Sequence, residues 1–116
     1  MQFETILIGS EGPVATITMN RPEALNALSA QVFQDLADGL RELATDRTIR
    51  VVVIRGAGDR AFVAGADIKE MADRDETTPE ERNWTGMRVY DQIRHLPQPV
   101  IASVHGYALG GGMLLA

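Results

Sequence analysis

Two short stretches of very small residues could bring main-chain N–H groups close to a negatively charged oxygen. The first is Ala64-Gly65-Ala66, inside Phe62–Met71, and the second is Gly110-Gly111-Gly112, inside His105–Gly112. Small side chains matter because they let a ligand approach the backbone closely. Two preorganised N–H donors aimed at one oxygen stabilise charge that develops there, and losing one such donor typically costs about 3 kcal/mol of transition-state stabilisation. A helix starting at the glycine triplet would add the positive end of its dipole. No Gly-Lys-Ser/Thr follows the triplet, which rejects a P-loop. Physical chemistry alone thus gives two candidate anion sites, and leaves open whether they face each other.

The elements that must carry these loops are legible in the hydrophobic pattern. Thr5–Ile8 and Val14–Met19 read as strands of a hairpin, separated by the turn-forming Gly9–Pro13. Asn20-Arg21-Pro22-Glu23 breaks the second strand. Ser29 is a good N-cap for a helix to about Ala44, with Val32, Leu36, Leu40 and Leu43 as its buried stripe. Gly39 inside that helix costs up to about 1 kcal/mol relative to Ala. Val51-Val52-Val53-Ile54 reads as a strand buried on both faces, as in a parallel sheet. A loop over Gly56–Ala66 follows, then a short helix starting at Ile68–Ala72 and a polar, exposed stretch at Asp73–Thr77. Thr78-Pro79-Glu80-Glu81 is a capping box with Pro at the first helical position. The next helix shows Trp84, Met87, Tyr90 and Ile93 on one side and ends before Pro97. Val100–Val104 is a further buried strand, and Gly111–Ala116 should begin a helix. The order β-β-α-β-α-β-(α) predicts an α/β domain of repeated ββα units whose strands deliver loops to one sheet edge.

Bulk properties bound the remaining classes. The 116 residues give room for one domain with a modest core, and an apolar content of 45% argues against disorder. A net charge of −5 makes a broad nucleic-acid surface a poor fit, while an anionic ligand needs only a few local donors. There is no cysteine, which excludes disulfides and thiol catalysis and fits a reducing compartment. Met1–Ser10 lacks the basic start of a signal peptide, and no apolar run approaches the roughly 20 residues a membrane helix needs, so a cytoplasmic location is expected. His95 and His105 lack i, i+4 spacing with another histidine, and no metal site is expected.

Three blocks together resemble the enoyl-CoA hydratase/isomerase (crotonase) family: Asn20-Arg21-Pro22-Glu23-Ala24-Leu25-Asn26-Ala27-Leu28, Ala61–Met71, and Gly106-Tyr107-Ala108-Leu109-Gly110-Gly111-Gly112. They occur in the family's order and usual spacing, and the likeness covers essentially the whole chain. The resemblance implies a crotonase-like spiral of ββα units (the ClpP/crotonase type), here residues 1–116 as the N-terminal part of one domain, truncated before its C-terminal helices. It implies an acyl-CoA thioester substrate from fatty acid metabolism, with coenzyme A as part of the substrate and no other cofactor. The N–H groups of Ala66 and Gly111 would form the oxyanion hole that holds the thioester enolate. Backbone at Ala64, Ala66, Asp67, Ile68 and Lys69 would line the coenzyme A site, together with Ala24. Assembly as a homotrimer or a dimer of trimers is implied for the full-length parent.

One position departs from the hydratase pattern. Hydratases of the family carry two glutamates, one to activate water and one to deliver a proton. The first falls where this chain has Leu114, and the second lies beyond Ala116. Leu114 cannot transfer a proton, which tilts the expectation toward isomerase-type chemistry, with a hydratase altered at this position as the alternative. A different class of function is a non-catalytic fragment or binding module, since Met113-Leu114-Leu115-Ala116 starts an apolar helix too short to stand alone. Several residues have plainer readings. Asp67 suits a helix N-cap better than a catalytic acid, and Lys69 a solvated helix position. His105 suits a structural turn, and Trp84, Met87 and Tyr90 suit core or oligomer contacts. Glu70, Glu80 and Glu81 suit surface or capping roles.

Overall fold

The computed structural model describes residues 3–65 and 79–109, together with 112 and 115; for residues 79–86 only the backbone is described. Strands β1 (Ile6–Glu11) and β2 (Val14–Met19) pair antiparallel from Ile6 opposite Met19 to Glu11 opposite Val14. The hairpin turn is therefore Gly12-Pro13, and Gly9-Ser10-Glu11 belong to the strand rather than to a five-residue loop. Cross-strand pairing outweighs the weak strand preference of Gly and Ser there.

A 3₁₀ turn at Pro22–Ala24 then leads to helix α1 (Ala30–Ala44), whose Val32 N–H donates to Ser29 Oγ at 3.2 Å. The expected stripe Val32, Leu36, Leu40 and Leu43 is buried. Asp35 is buried beside it and accepts from the Thr5 N–H at 2.9 Å and the Thr5 hydroxyl at 2.6 Å, which ties the helix to the start of β1. Gly39 faces the hairpin: a Cβ there would lie 2.7 Å from Ile8 Cδ1, the outer end of that side chain.

Strand β3 (Val51–Gly56) pairs parallel with β2 and with β5 (Val100–Ser103), giving the sheet order β1-β2-β3-β5. The expected parallel sheet is present. Its burial is less complete than the apolar runs imply. Val52 and Ile54 are fully buried, but Val51 and Val53 on the other face are half-buried. Strand β5 departs further, with Ile101 53% exposed and Val104 beyond the strand end also exposed. Strand β5 lies at the sheet edge.

Helix α2 (Pro79–Arg94) starts at the proline that the capping box places first; Thr78 itself lies outside the described residues. Its buried anchor is Val89, followed by half-buried Ile93 and buried Leu96, whereas Met87 is exposed. The expected stripe is thus rotated. Phe33 meets Tyr90 edge to face at 6.4 Å, and Gln92 Nε2 donates to Ala37 O at 2.8 Å, which joins the two helices. Gln98 closes the far end by donating from Nε2 to Leu43 O at 2.8 Å. Sheet and helices share one core of Ile6, Ile17, Leu36, Val52, Phe62 and Val89 with their neighbours.

Two strands have no counterpart in the hydrophobic pattern. These are β4 (Ala61–Val63), within the expected Gly56–Ala66 loop, and β6 (Tyr107–Ala108), within the second loop. They pair with each other in a separate two-stranded parallel sheet.

Candidate active site

The β4–β6 pairing decides how the two small-residue loops stand to each other. Ala61 lies opposite Tyr107 and Val63 opposite Ala108. The Tyr107 N–H donates to Arg60 O at 3.1 Å, and the Leu109 N–H donates to Val63 O at 3.2 Å. The two strands therefore run side by side in the same direction, which sets Ala64-Gly65 and Leu109 at the same end of the pair. Gly65, at φ +112°, is one close approach: a Cβ there would stand 3.2 Å from Leu109 O. On the other side Gly112 packs so tightly that a Cβ would stand 2.0 Å from Val63 O. Gly112 is helical, and its N–H donates to Leu109 O at 2.8 Å.

The Asn20–Leu28 block forms the floor under the first loop. Leu25 and Asn26 both have left-handed backbones, with φ of 53° and 56°. This turns the Leu25 carbonyl toward the Ala64 N–H, which donates to it at 3.1 Å, and the Leu28 N–H donates to Gly65 O at 2.6 Å. Arg21 Nη1 donates to Ala27 O at 2.9 Å and stiffens the same turn. The buried Asn26 amide reaches three segments, an arrangement that the residue pattern did not single out. Its only sequence signal is an Asn within a turn, where this residue tolerates the left-handed region.

The expected ligand-lining residues divide by position. Ala24 is half-buried in the 3₁₀ turn, and its N–H already donates to Arg21 O at 2.9 Å. Ala64 spends its N–H on Leu25 O, so a ligand would meet its carbonyl or methyl group. Ala66, Asp67, Ile68, Lys69, Gly111 and Leu114 lie outside the described residues. Their chain neighbours Gly65 and Gly112 are within it, on the adjoining loops. His105 has a structural partner, with its Nε2 2.9 Å from Gly58 O, in keeping with a turn histidine. Among the described residues, no group of three or more His, Asp or Glu gathers to hold a metal ion, and no helix is long and apolar enough to cross a membrane.

This pairing of strand-end loops sits in a chain whose residues 9–116 match the sequence profile of the enoyl-CoA hydratase/isomerase family. The chain belongs to that family. It is 38% identical over its whole length to a short-chain-enoyl-CoA hydratase of Clostridium acetobutylicum, covering 44% of that protein. It is 43% identical to a probable enoyl-CoA hydratase of Mycobacterium bovis, again covering 44%. Among solved structures, the enoyl-CoA hydratase of Bacillus anthracis superposes with a TM-score of 0.87 at 35% identity, over 97% of this chain and 44% of that one. The fold is accordingly crotonase-like, and the chain spans less than half the length of these relatives.

Proposed function

We propose that the complete protein acts on acyl-CoA thioesters and holds the enolate of the thioester between the N–H groups of Ala66 and Gly111. The observation that carries this reading is the β4–β6 pairing, with Gly65, the residue before Ala66, close to Leu109 and Gly112, the residue after Gly111, close to Val63. Negative charge on the thioester oxygen would then meet fixed donors that need no reorganisation during reaction. Backbone at Ala24, Ala64, Asp67, Ile68 and Lys69 would line the coenzyme A portion. Association into a trimer or hexamer and a cytoplasmic location complete the reading.

Leu114 favours isomerisation within this chemistry. A single carboxylate supplied from outside these residues would remove a proton from C2 of a 3-enoyl-CoA. The electrons move onto the thioester oxygen, and reprotonation at C4 leaves the double bond between C2 and C3. Water addition calls on two positioned carboxylates, and Leu114 has no proton to give or take. The named relatives favour a second reading, since those from Clostridium acetobutylicum and Syntrophomonas wolfei are called enoyl-CoA and crotonyl-CoA hydratases. Assays of the complete protein on 3-enoyl-CoA and 2-enoyl-CoA separate the two. Isomerisation with slow hydration is expected; efficient hydration with little isomerisation supports the second reading. Failure to bind or convert either thioester overturns both. The 116 residues alone are expected to give no saturable turnover.

A further inference from the structure

We infer that Asn26 is the positioning residue for the first half of the anion site, acting through the backbone of Ala64 and Gly65; this rests on the enolate-holding role proposed above. Asn26 is 2% exposed, and its side chain makes three hydrogen bonds. Oδ1 accepts from the Arg21 N–H at 2.9 Å, while Nδ2 donates to Ala57 O at 3.0 Å and to Ala61 O at 2.9 Å. Its own N–H donates to Arg21 O at 2.8 Å. One amide thus fastens the turn after β2 to the end of β3 and the start of β4.

The consequence reaches the site through two backbone bonds. The Ala64 N–H donates to the Leu25 carbonyl, and the Leu28 N–H donates to the Gly65 carbonyl. These hold the Val63–Ala64 peptide by its N–H and the Gly65–Ala66 peptide by its carbonyl, and the N–H of that second peptide belongs to Ala66. With the Asn26 amide absent, the turn loses its side-chain ties to Ala57 and Ala61, which help to hold Leu25 and Leu28 at the spacing that Ala64 and Gly65 require. A misplacement of about 1 Å at a reacting centre can cost about 100-fold in rate. Asn also fits the left-handed backbone at this position, which most residues adopt only at a cost.

The chemistry distinguishes two variants. Asn26→Gly accepts the backbone conformation but deletes all three side-chain bonds. Asn26→Asp keeps the shape but turns an oxygen toward the two carbonyls that Nδ2 served, and its protonated form regains one donor. The first readout is single-amide hydrogen exchange in the complete protein. For Asn26→Gly we expect the Ala64 N–H to exchange about 10-fold faster or more, with the β2–β3 ladder amides unchanged. For Asn26→Asp we expect Ala64 protection to recover as pH falls. The second readout is the near-ultraviolet enolate absorption of a bound 3-ketoacyl-CoA. Its amplitude and kcat should fall about 10- to 100-fold in Asn26→Gly, with KM changed far less.

Unchanged protection of Ala64, or parallel opening of Ala64 and the β2–β3 ladder, overturns the inference. So does full enolate absorption and kcat in a variant whose Ala64 exchanges fast. If the unaltered protein forms no enolate while Ala64 protection still depends on Asn26, the enolate role fails and the positioning of Ala64 and Gly65 stands.

Discussion

The two loops meet as neighbours but are held in opposite ways. The first descends from β4, where Ala61, Phe62 and Val63 are at most 2% exposed, and it is gripped from below by the Asn20–Leu28 turn. The second carries Tyr107 and Leu109, each more than half exposed, and its described anchors are backbone bonds to the first loop and the His105–Gly58 contact. One loop is part of the core and the other is docked upon it. In the proposed anion site a rigid half would serve as the template for a lighter one. Damage to the first loop should therefore reach the whole domain, and damage to the second should stay local.

The largest expected effect is at the rigid half. Phe62→Ala removes a fully buried ring from the core and should destabilise the protein by about 3–5 kcal/mol. Chemical denaturation measures this, and a loss below about 1 kcal/mol would show that β4 is not core. The docked half should respond more narrowly. A Cβ at Gly106 would stand 2.1 Å from Arg60 O, at a φ of +63° that already disfavours a side chain. Gly106→Ala should cost about 1–3 kcal/mol at this contact and weaken acyl-CoA binding about 10-fold, with the β2–β3 ladder still protected from exchange. If it unfolds the domain as fully as Phe62→Ala does, the contrast between the loops is wrong.

A smaller effect is expected at the outer anchor. His105→Ala gives up one hydrogen bond to Gly58 O, a loss of about 0.5–1.5 kcal/mol by denaturation, and it should leave the pH dependence of turnover unchanged. A lost ionisation in the pH–rate profile would instead make His105 part of the chemistry. The smallest effect lies far from both loops. The Thr48 hydroxyl, at 2.6 Å, and the Thr48 N–H, at 2.9 Å, hold the Asp46 carboxyl below its ordinary value of 3.8. A depressed carboxyl stabilises the fold above its unfolded pKa, and that contribution is lost as pH falls through the folded value. Thr48→Ala should move the Asp46 titration upward in carbon-detected NMR and leave acyl-CoA binding untouched.

Legibility in the sequence follows the same division. Helix α1 could be drawn from Ser29 and its apolar stripe, because cap and stripe are local signals. Strand β3 announced itself through Val51–Ile54. Strands β4 and β6 did not, because runs of three and two residues carry no readable alternation and each depends on a partner more than 40 residues away. The mutual placement of the loops was therefore invisible in the residue pattern and came from family resemblance. Asn26 and Asp35 were missed for a related reason: a buried polar side chain is explained by its partners, and Ala57, Ala61 and Thr5 are distant in the chain. In α2 the buried Val89 and the exposed Met87, two residues apart and so on opposite sides of the helix, show which side faces inward, a choice that periodicity alone did not make.

The central claim is that Ala66 and Gly111 donate to one oxygen. The most direct measurement is amide NMR of the complete protein titrated with a 3-ketoacyl-CoA. The account predicts that both N–H resonances move downfield together and saturate at the same ligand concentration. A bound thioester that leaves either resonance where it was would contradict it.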